Sequence, residues 1–283
     1  MRVLLVPNTA NPVAIAAAAE LATWLSGAGM EPVLVTDDAE MCELAAHAVA
    51  PSAVGEPALT VALGGDGTIL KAVHTLGRIE APVLGVNLGR LGFMSGARAE
   101  SLRESVEAAL AGEGRIERRS TLEATVRMDG REVGRYRALN EVHVGRGTTM
   151  RVIDLELAVN GTVLQRMRCD GVVVATPTGS TAYALSAGGP IVAPDVACAL
   201  VVPVAPHTLA TRTIVVGSSD RVDLVLPNAA RRDALVSVDG ALAPCRRDVE
   251  SISVVRGEHD VLLVKLDGRD FYEVARDEFL RGQ

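Results

Sequence analysis

The chain is poor in aromatic rings, in cysteine and in positive charge, and each shortage excludes something. Its 283 residues include one Trp, three Tyr and three Phe. With 28 Lys+Arg against 35 Asp+Glu the net charge is -7, and the sequence pI is about 5.3. A general nucleic-acid binder wants a basic surface and stacking rings, so this composition argues against one. A polyanionic ligand would have to be met by local donors rather than by the overall field. The four cysteines, Cys42, Cys169, Cys198 and Cys245, lie far apart with no C-x-x-C, and the five histidines stand singly. Neither a disulfide framework nor a zinc site is indicated. The most apolar stretch, Val196 to Ala205, is about half a membrane span and contains Pro203. Met1 leads into the strand-like run Val3 to Val6 with no signal-peptide pattern after it. The expectation is a reduced, cytoplasmic protein without membrane or nucleic-acid partners.

What is present is aliphatic: 48% of the residues are hydrophobic, dominated by Val, Leu, Ile and Ala. The first third alternates strand and helix signals. Val3 to Val6, Pro32 to Val35, Leu59 to Leu63 and Pro82 to Val86 read as strands. Between and after them, Val13 to Leu25, Thr68 to Leu76 and Ser101 to Leu110 read as helices, with Thr68 as an N-cap and Ser101 with Glu104 as a capping box. Such alternation predicts a parallel sheet with covered faces. From about Arg118 the period becomes two. Leu122 to Arg127, Asp154 to Val159, Val222 to Leu226 and Val236 to Val238 alternate, three of them ending near Asp129-Gly130, Asn160-Gly161 and Asp239-Gly240. Asn-Gly and Asp-Gly pairs beside alternating runs predict antiparallel hairpins. The fold class expected is therefore an α/β N-terminal domain with a parallel sheet, residues 1–117, and a β-rich C-terminal domain, residues 118–267. Phe271 to Leu280 reads as a last helix.

Three segments carry chemistry. Gly64-Gly65-Asp66-Gly67-Thr68 joins a strand to a helix. Glycines let phosphate oxygens approach backbone amides, and a helix start offers unpaired N–H groups and a positive dipole end. Lys71, one turn on, is within reach of the same phosphates. A carboxylate in such a cradle repels the ligand unless it has work, so Asp66 is suited to accept a proton from an attacking hydroxyl or to help hold a metal. The second segment runs from Asp170 through Thr176-Pro177-Thr178-Gly179-Ser180-Thr181-Ala182-Tyr183 to Gly189. Four hydroxyls and a ring near a helix start read as a pocket for a sugar and a base. Third, Asn140-Glu141 lies in strand-like alternation, which points the two side chains to opposite faces. His143, His207 and Arg212, taken singly, read as structural or surface residues.

Together these residues resemble the NAD kinases. The Gly64–Thr68 loop is similar to that family's phosphate loop, and Gly85-Val86-Asn87-Leu88-Gly89-Arg90-Leu91-Gly92-Phe93 to its next loop. Leu139-Asn140-Glu141, the segment Asp170 to Gly189, and Pro206-His207-Thr208-Leu209 followed by Arg212 continue the match in order. The resemblance implies transfer of the γ-phosphoryl group of ATP or polyphosphate to the 2′-hydroxyl of the adenosine ribose of NAD. It implies Asp66 as general base, and phosphate contacts from Gly65, Gly67, Thr68 and Lys71. Asn140, Glu141, Arg168 and Asp170 would contact NAD, and Thr181, Ala182, Tyr183 and Ser186 would line the adenosine pocket. Asn87, His207, Arg212 and Asp239 are further candidates. No protein residue is assigned to a metal; Mg²⁺ or another divalent ion would come with the donor. The resemblance also implies an active site in the cleft between the domains, a tail (about 268–283) that completes the first domain, and a homodimer or homotetramer.

The sequence departs from the family at Ile69, where many members have Phe, at Thr213, where Pro is usual after the Arg, and at Ala241, where a polar or basic side chain is common. Two other readings share features. A diacylglycerol- or sphingosine-kinase-like enzyme has the Gly-Gly-Asp-Gly loop but lacks the Asn-Glu and Thr-Ala-Tyr segments, both present here. A non-catalytic dinucleotide sensor would have lost the loop carboxylate, and Asp66 is intact.

Overall fold

Short, continuously apolar runs become parallel strands because both faces of a parallel sheet are covered. The computed structural model describes residues 1–89, 92–147, 151–208, 211–227, 234–244 and 249–280. The chain divides into two units, Met1–Arg118 with Val261–Gln283, and Arg119–Asp260.

In the first unit, β1 (Arg2–Pro7), α1 (Pro12–Gly27), β2 (Glu31–Val35), α2 (Thr36–Met41), β3 (Ala48–Val49) and β4 (Leu59–Leu63) are followed by α3 (Asp66–Leu76) and β5 (Pro82–Asn87). After them come β6 (Ala97–Arg98), α4 (Leu102–Leu110) and β7 (Arg115–Arg119). The chain's last strand, β20 (Val261–Lys265), returns to this sheet, whose order is β3-β2-β1-β4-β5-β20-β7 with β6 on β5. Strands β1 to β5 and β20 pair in parallel. Residues 261–265, expected in the β-rich region, thus supply a strand here; their run Val-Leu-Leu-Val is continuously apolar rather than alternating, as a two-face-buried strand requires. Leu5, Leu21, Leu25, Leu34, Leu63 and Leu84 pack in the core, fully shielded. Each such side chain contributes roughly 1.5–3 kcal/mol by leaving water.

One helix start and one capping bond differ from expectation. Helix α3 begins at Asp66 with Gly65 as N-cap, so Thr68 lies inside the first turn, its N–H bonded to the Gly65 carbonyl at 2.9 Å. Ser101 does precede α4, but its hydroxyl meets Ser105 Oγ at 3.1 Å and the Arg98 carbonyl at 3.4 Å instead of closing a capping box. Helix α1, by contrast, is capped by Asn11 Oδ1, which accepts the Val13 N–H at 3.0 Å.

The second unit is a sandwich of two six-stranded sheets. One, in order β15-β14-β13-β10-β17-β18, uses β10 (Glu141–Arg146), β13 (Gly171–Ala175), β14 (Cys198–Val204), β15 (Ile214–Gly217), β17 (Ala234–Val238) and β18 (Ala241–Leu242). The other, β12-β11-β16-β19-β8-β9, uses β8 (Leu122–Met128), β9 (Arg131–Ala138), β11 (Ile153–Val159), β12 (Thr162–Cys169), β16 (Val222–Val225) and β19 (Ser251–Arg256). The inward residues of both sheets, among them Val142, Val144, Val172 and Val174 facing Val126, Leu155, Leu224 and Ile252, form one core. The turns Asp129-Gly130, Asn160-Gly161 and Asp239-Gly240 each hold both residues at positive φ, the geometry that matches the twist of paired strands. A short helix α5 (Tyr183–Ser186) follows a 3₁₀ turn over Thr178–Thr181, so the helix expected from Thr181 is shorter and starts later.

Candidate functional site

In the first unit the site grows from the end of β4. All of Leu59–Leu63 is buried, and the chain must turn sharply to start α3. Gly64 makes that turn at φ +155°, where a Cβ would come within 2.3 Å of Thr68 Oγ1. Gly65 and Gly67 are different. Both are exposed, and a Cβ on either would meet nothing within 4 Å. The fold needs glycine at 64; at 65 and 67 only an approaching ligand would need it.

Between them stands Asp66, half-buried in the first turn of α3. Its Oδ2 accepts the Phe93 N–H at 3.0 Å and its Oδ1 accepts the Met94 N–H at 3.2 Å. The approach is close enough that a Cβ on Gly92 would lie 2.3 Å from Oδ1. The carboxylate is therefore fixed in place by backbone, with little rotamer freedom left. The segment that grips it is itself tied down. Gly92 N–H donates to Ser95 Oγ at 3.1 Å, Gly96 N–H to the Gly85 carbonyl at 2.9 Å, and Asn87 Oδ1 accepts Gly89 N–H at 2.7 Å. Arg90 and Leu91 of the same loop lie outside the described residues.

Lys71 has another engagement. Its ammonium is paired with the Asp38 carboxylate on α2 and lies 3.5 Å from the Pro7 carbonyl. Asp38 is only 3% exposed, so it needs that cation.

In the second unit, Asn140 and Glu141 enter β10 beside the turn between β17 and β18. The Asp239 carboxylate accepts three backbone N–H groups, from Leu139 at 2.8 Å, Asn140 at 2.7 Å and Glu141 at 3.0 Å. The strand begins only at Glu141, and both motif residues are buried, at 8% and 7% exposure, rather than solvated. Burial, reinforced by the Asp239 charge, pushes the Glu141 carboxyl up to about 7, against a hydrogen bond from the Tyr183 N–H that favours the anion. One of its oxygens, Oε2, is buried without a partner. Tyr183 is 39% exposed, with its ring edge-on to His143 at 5.2 Å. Burial alone brings the His143 imidazole down to about 4, so it is neutral.

The four hydroxyls expected to line a sugar pocket are mostly spent inside the fold. Thr176 Oγ1 donates to the Leu139 carbonyl at 2.6 Å and accepts the Gly179 N–H at 3.0 Å. Ser180 Oγ ties both the carbonyl and the N–H of Val192, and Thr178 Oγ1 accepts from Arg119 at 3.4 Å. A buried hydroxyl must find such partners. Their work is to press the turn onto Asn140, whose carbonyl lies where a Gly179 Cβ would be, at 2.1 Å. Of the outer residues, Thr181 and Ala182 are half-buried and Ser186 is exposed. Arg168 is exposed and 3.4 Å from Asp154, while Asp170 pairs with Arg146 at 3.1 Å. His207 and Arg212 are exposed; the His207 N–H bonds the Arg168 carbonyl at 2.8 Å, and Arg212 bonds the Thr211 carbonyl at 2.9 Å.

The residues that sequence reading overlooked are those that hold others: Met94 and Asp38, together with Lys265 at the end of β20. Lys265 was visible only as a charge closing an apolar run.

The family model described as the ATP-NAD kinase N-terminal domain matches residues 3–114, and that of the ATP-NAD kinase C-terminal domain matches 139–266. The chain is 38% identical over 267 residues to the NAD kinase of Geobacter metallireducens, covering 94% of this chain and 93% of that protein. It is 42% identical over 225 residues to the NAD kinase of Symbiobacterium thermophilum, covering 79% of each. Among solved structures it is similar to yeast NADH kinase complexed with NADH, with a TM-score of 0.88, 27% identity, and coverage of 100% of this chain and 87% of that one. It is also similar to an NAD kinase from Archaeoglobus fulgidus in complex with ATP, with a TM-score of 0.73, 28% identity and 97% coverage of both.

Proposed function

The chain belongs to the NAD kinase family and is a phosphotransferase, and from that premise we propose that it moves the γ-phosphoryl group of ATP to the 2′-hydroxyl of the adenosine ribose of NAD, with Asp66 as the general base. The observation that carries this reading is the Asp66 carboxylate, held by two backbone N–H groups between two glycines whose Cβ positions are open.

A ribose hydroxyl is too weak an acid to be ionised beforehand by a carboxylate. Proton transfer to Asp66 accompanies attack: the 2′-oxygen bonds to the γ-phosphorus, the bond to the β,γ-bridging oxygen breaks, and ADP leaves. Phosphoryl transfer of this kind depends on positioning and charge neutralisation. In the first turn of α3 the Gly67 N–H and the positive dipole end of the helix offer a donor and a field for the phosphates, whereas the Thr68 N–H is spent on the Gly65 carbonyl. Among the described residues no group of three or more His, Cys, Asp and Glu is arranged to hold a metal ion. In this scheme Mg²⁺ would come with the donor, where it would neutralise phosphate charge. Polyphosphate presents the same terminal group, and it remains an alternative donor in the proposal.

For NAD, Asn140 and Glu141 offer a polar edge that Asp239 fixes, and the orphaned Glu141 Oε2 suits a ribose hydroxyl donor. Tyr183 offers its exposed ring to the adenine, flanked by Thr181, Ala182 and Ser186. Arg168, Asp170, Asn87, His207 and Arg212 are retained as outer contacts, Lys71 as a cation whose first partner is Asp38, and a homodimer or homotetramer as the assembly.

Incubating the protein with NAD, ATP and Mg²⁺ and measuring NADP tests the reaction; phosphorylation of a lipid alcohol without NADP would reject it. Asp66→Asn should lower turnover by roughly 10²–10⁴-fold, the range for removing a general base, with NAD affinity kept. Near-parental turnover would remove Asp66 from that role. Tyr183→Ala should raise the KM for NAD.

A further inference from the structure

Lys265 is the last residue of β20 and is 8% exposed, although the rest of the strand is apolar. Its ammonium donates to the Ser95 carbonyl at 2.6 Å and to the Phe93 carbonyl at 3.2 Å. A buried ammonium is costly in a core strand, and an aliphatic side chain would fill the place without that cost. We propose that Lys265 is a positioning residue for Asp66, acting through the peptide group that joins Phe93 to Met94.

The geometry is a three-member chain. The carbonyl of Phe93 and the N–H of Met94 belong to one peptide plane. Lys265 holds the carbonyl end; the N–H end holds Asp66 Oδ1 at 3.2 Å. Drawing electron density toward the carbonyl strengthens the N–H as a donor, because hydrogen bonds in series polarise one another. The second carbonyl, that of Ser95, anchors the far side of the segment, where Gly96 N–H meets the Gly85 carbonyl at 2.9 Å and Leu266 N–H meets the Gly96 carbonyl at 3.1 Å. There is no slack in this arrangement: a Cβ on Gly96 would be 2.0 Å from the Val264 carbonyl. The ring of Phe93 is also held, with Phe271 and Phe279 of the helix Phe271–Leu280 at centroid distances of 6.0 and 6.5 Å. Lys265 therefore fixes the segment whose amides aim the carboxylate, and it touches no reacting atom in the proposed reaction. The inference rests on Asp66 as the base.

The test compares the full chain with Lys265→Met, Lys265→Arg and Asp66→Asn, using NAD, ATP and Mg²⁺, and follows amide hydrogen exchange in residues 92–96 without substrates. Lys265→Met is expected to lower kcat by roughly 10–100-fold, with both KM values within about twofold, as for an interaction realised in the transition state. Exchange at Phe93 and Met94 should speed up, and Lys265→Arg should restore protection and most of the turnover. In the Asp66→Asn background, Lys265→Met should cost no further turnover. If Lys265→Met does not fold, Lys265→Gln is read by the same two measurements. Unchanged exchange at Phe93 and Met94, unchanged kcat, or KM rising in step with the loss of kcat would each overturn the proposal. Near-parental turnover by Asp66→Asn would instead overturn the base assignment, while the exchange result would still decide the Lys265 contact.

Discussion

The backbone N–H of Asp239 donates to the Glu141 carbonyl at 3.0 Å, and the Asp239 carboxylate accepts the Glu141 N–H, also at 3.0 Å. The same two residues oppose each other as charges, since Asp239 helps burial push the Glu141 carboxyl up to about 7. One contact thus fixes the backbone of the Asn-Glu motif and makes its acid hard to ionise.

Asp239→Asn keeps a residue tolerant of the positive φ of 47° at this turn but replaces one accepting oxygen with a donor. One of the N–H groups of Leu139, Asn140 and Glu141 then loses its partner. Stability should fall by about 1–3 kcal/mol, the cost of an unsatisfied buried donor, read from the urea midpoint. The Glu141 carboxyl should return toward its ordinary value, and the KM for NAD should rise. Unchanged stability would show that the clamp carries no load.

The pH dependence of stability sets Glu141 against His143. Glu141 is raised from 4.5 to about 7, so between those values the folded chain keeps a proton that the unfolded chain has released, and its contribution to stability is lost as pH rises. His143 is lowered from 6.5 to about 4, so the unfolded chain takes up a proton first, and its contribution is lost as pH falls through that window. Each effect is on the order of 3 kcal/mol, and they largely cancel between pH 4.5 and 6.5. Relative to the parent, Glu141→Gln should make stability climb more steeply with pH in this range, and His143→Gln should make it fall. Urea unfolding at several pH values measures both slopes; parallel curves for all three proteins would sink the idea.

Gly64 and Gly65 should separate fold from ligand. Gly64→Ala places a Cβ 2.3 Å from Thr68 Oγ1 at an unfavourable φ and should destabilise the protein by about 1–3 kcal/mol. Gly65→Ala meets no protein atom, so thermal stability should hold while the KM for ATP rises several-fold. A Gly65→Ala protein with parental kinetics would remove that residue from the phosphate site.

Lys71→Met should act on stability first, because it strips Asp38 of its cation. Discounted for the 40% exposure of the lysine, the loss should be about 1–3 kcal/mol. Adding Asp38→Asn should recover most of it. A tenfold rise in the KM for ATP at unchanged stability would return Lys71 to the phosphates.

Periodicity made the fold class legible. Short apolar runs such as Leu59–Leu63, bounded by turn residues, read as shielded strands, and the Asn-Gly and Asp-Gly pairs placed the hairpins. A capping side chain caps only where its own backbone is extended: Thr68 is already inside the first turn, with Gly65 in the extended N-cap position, and Ser101 holds the N-cap position at ψ 33° while its hydroxyl goes to Ser105. The hydroxyl-rich turn was legible as a feature but not as scaffolding, since whether Thr176 and Ser180 face a ligand or the Leu139 and Val192 backbone depends on a partner far along the chain. Lys265 was hidden for the same reason. Its partners Phe93 and Ser95 are 172 and 170 residues away, and no local pattern encodes a pairing at that separation.

That separation has a consequence for how the protein is made. Strand β20 lies between β5 and β7 in the first unit's sheet, so the sheet stays open until the chain has passed residue 261. The sandwich of residues 119–260 is complete in sequence before then. During synthesis, which delivers domains in the order their chains are finished, the second unit can fold while the Pro82–Val83 end of β5 still lacks its neighbour β20. The last strand to emerge is the one that closes the sheet and brings Lys265 to the loop around Asp66. A polypeptide released before that strand would keep its sandwich and its Asn-Glu edge, but it would have an unsealed sheet and an unaimed carboxylate.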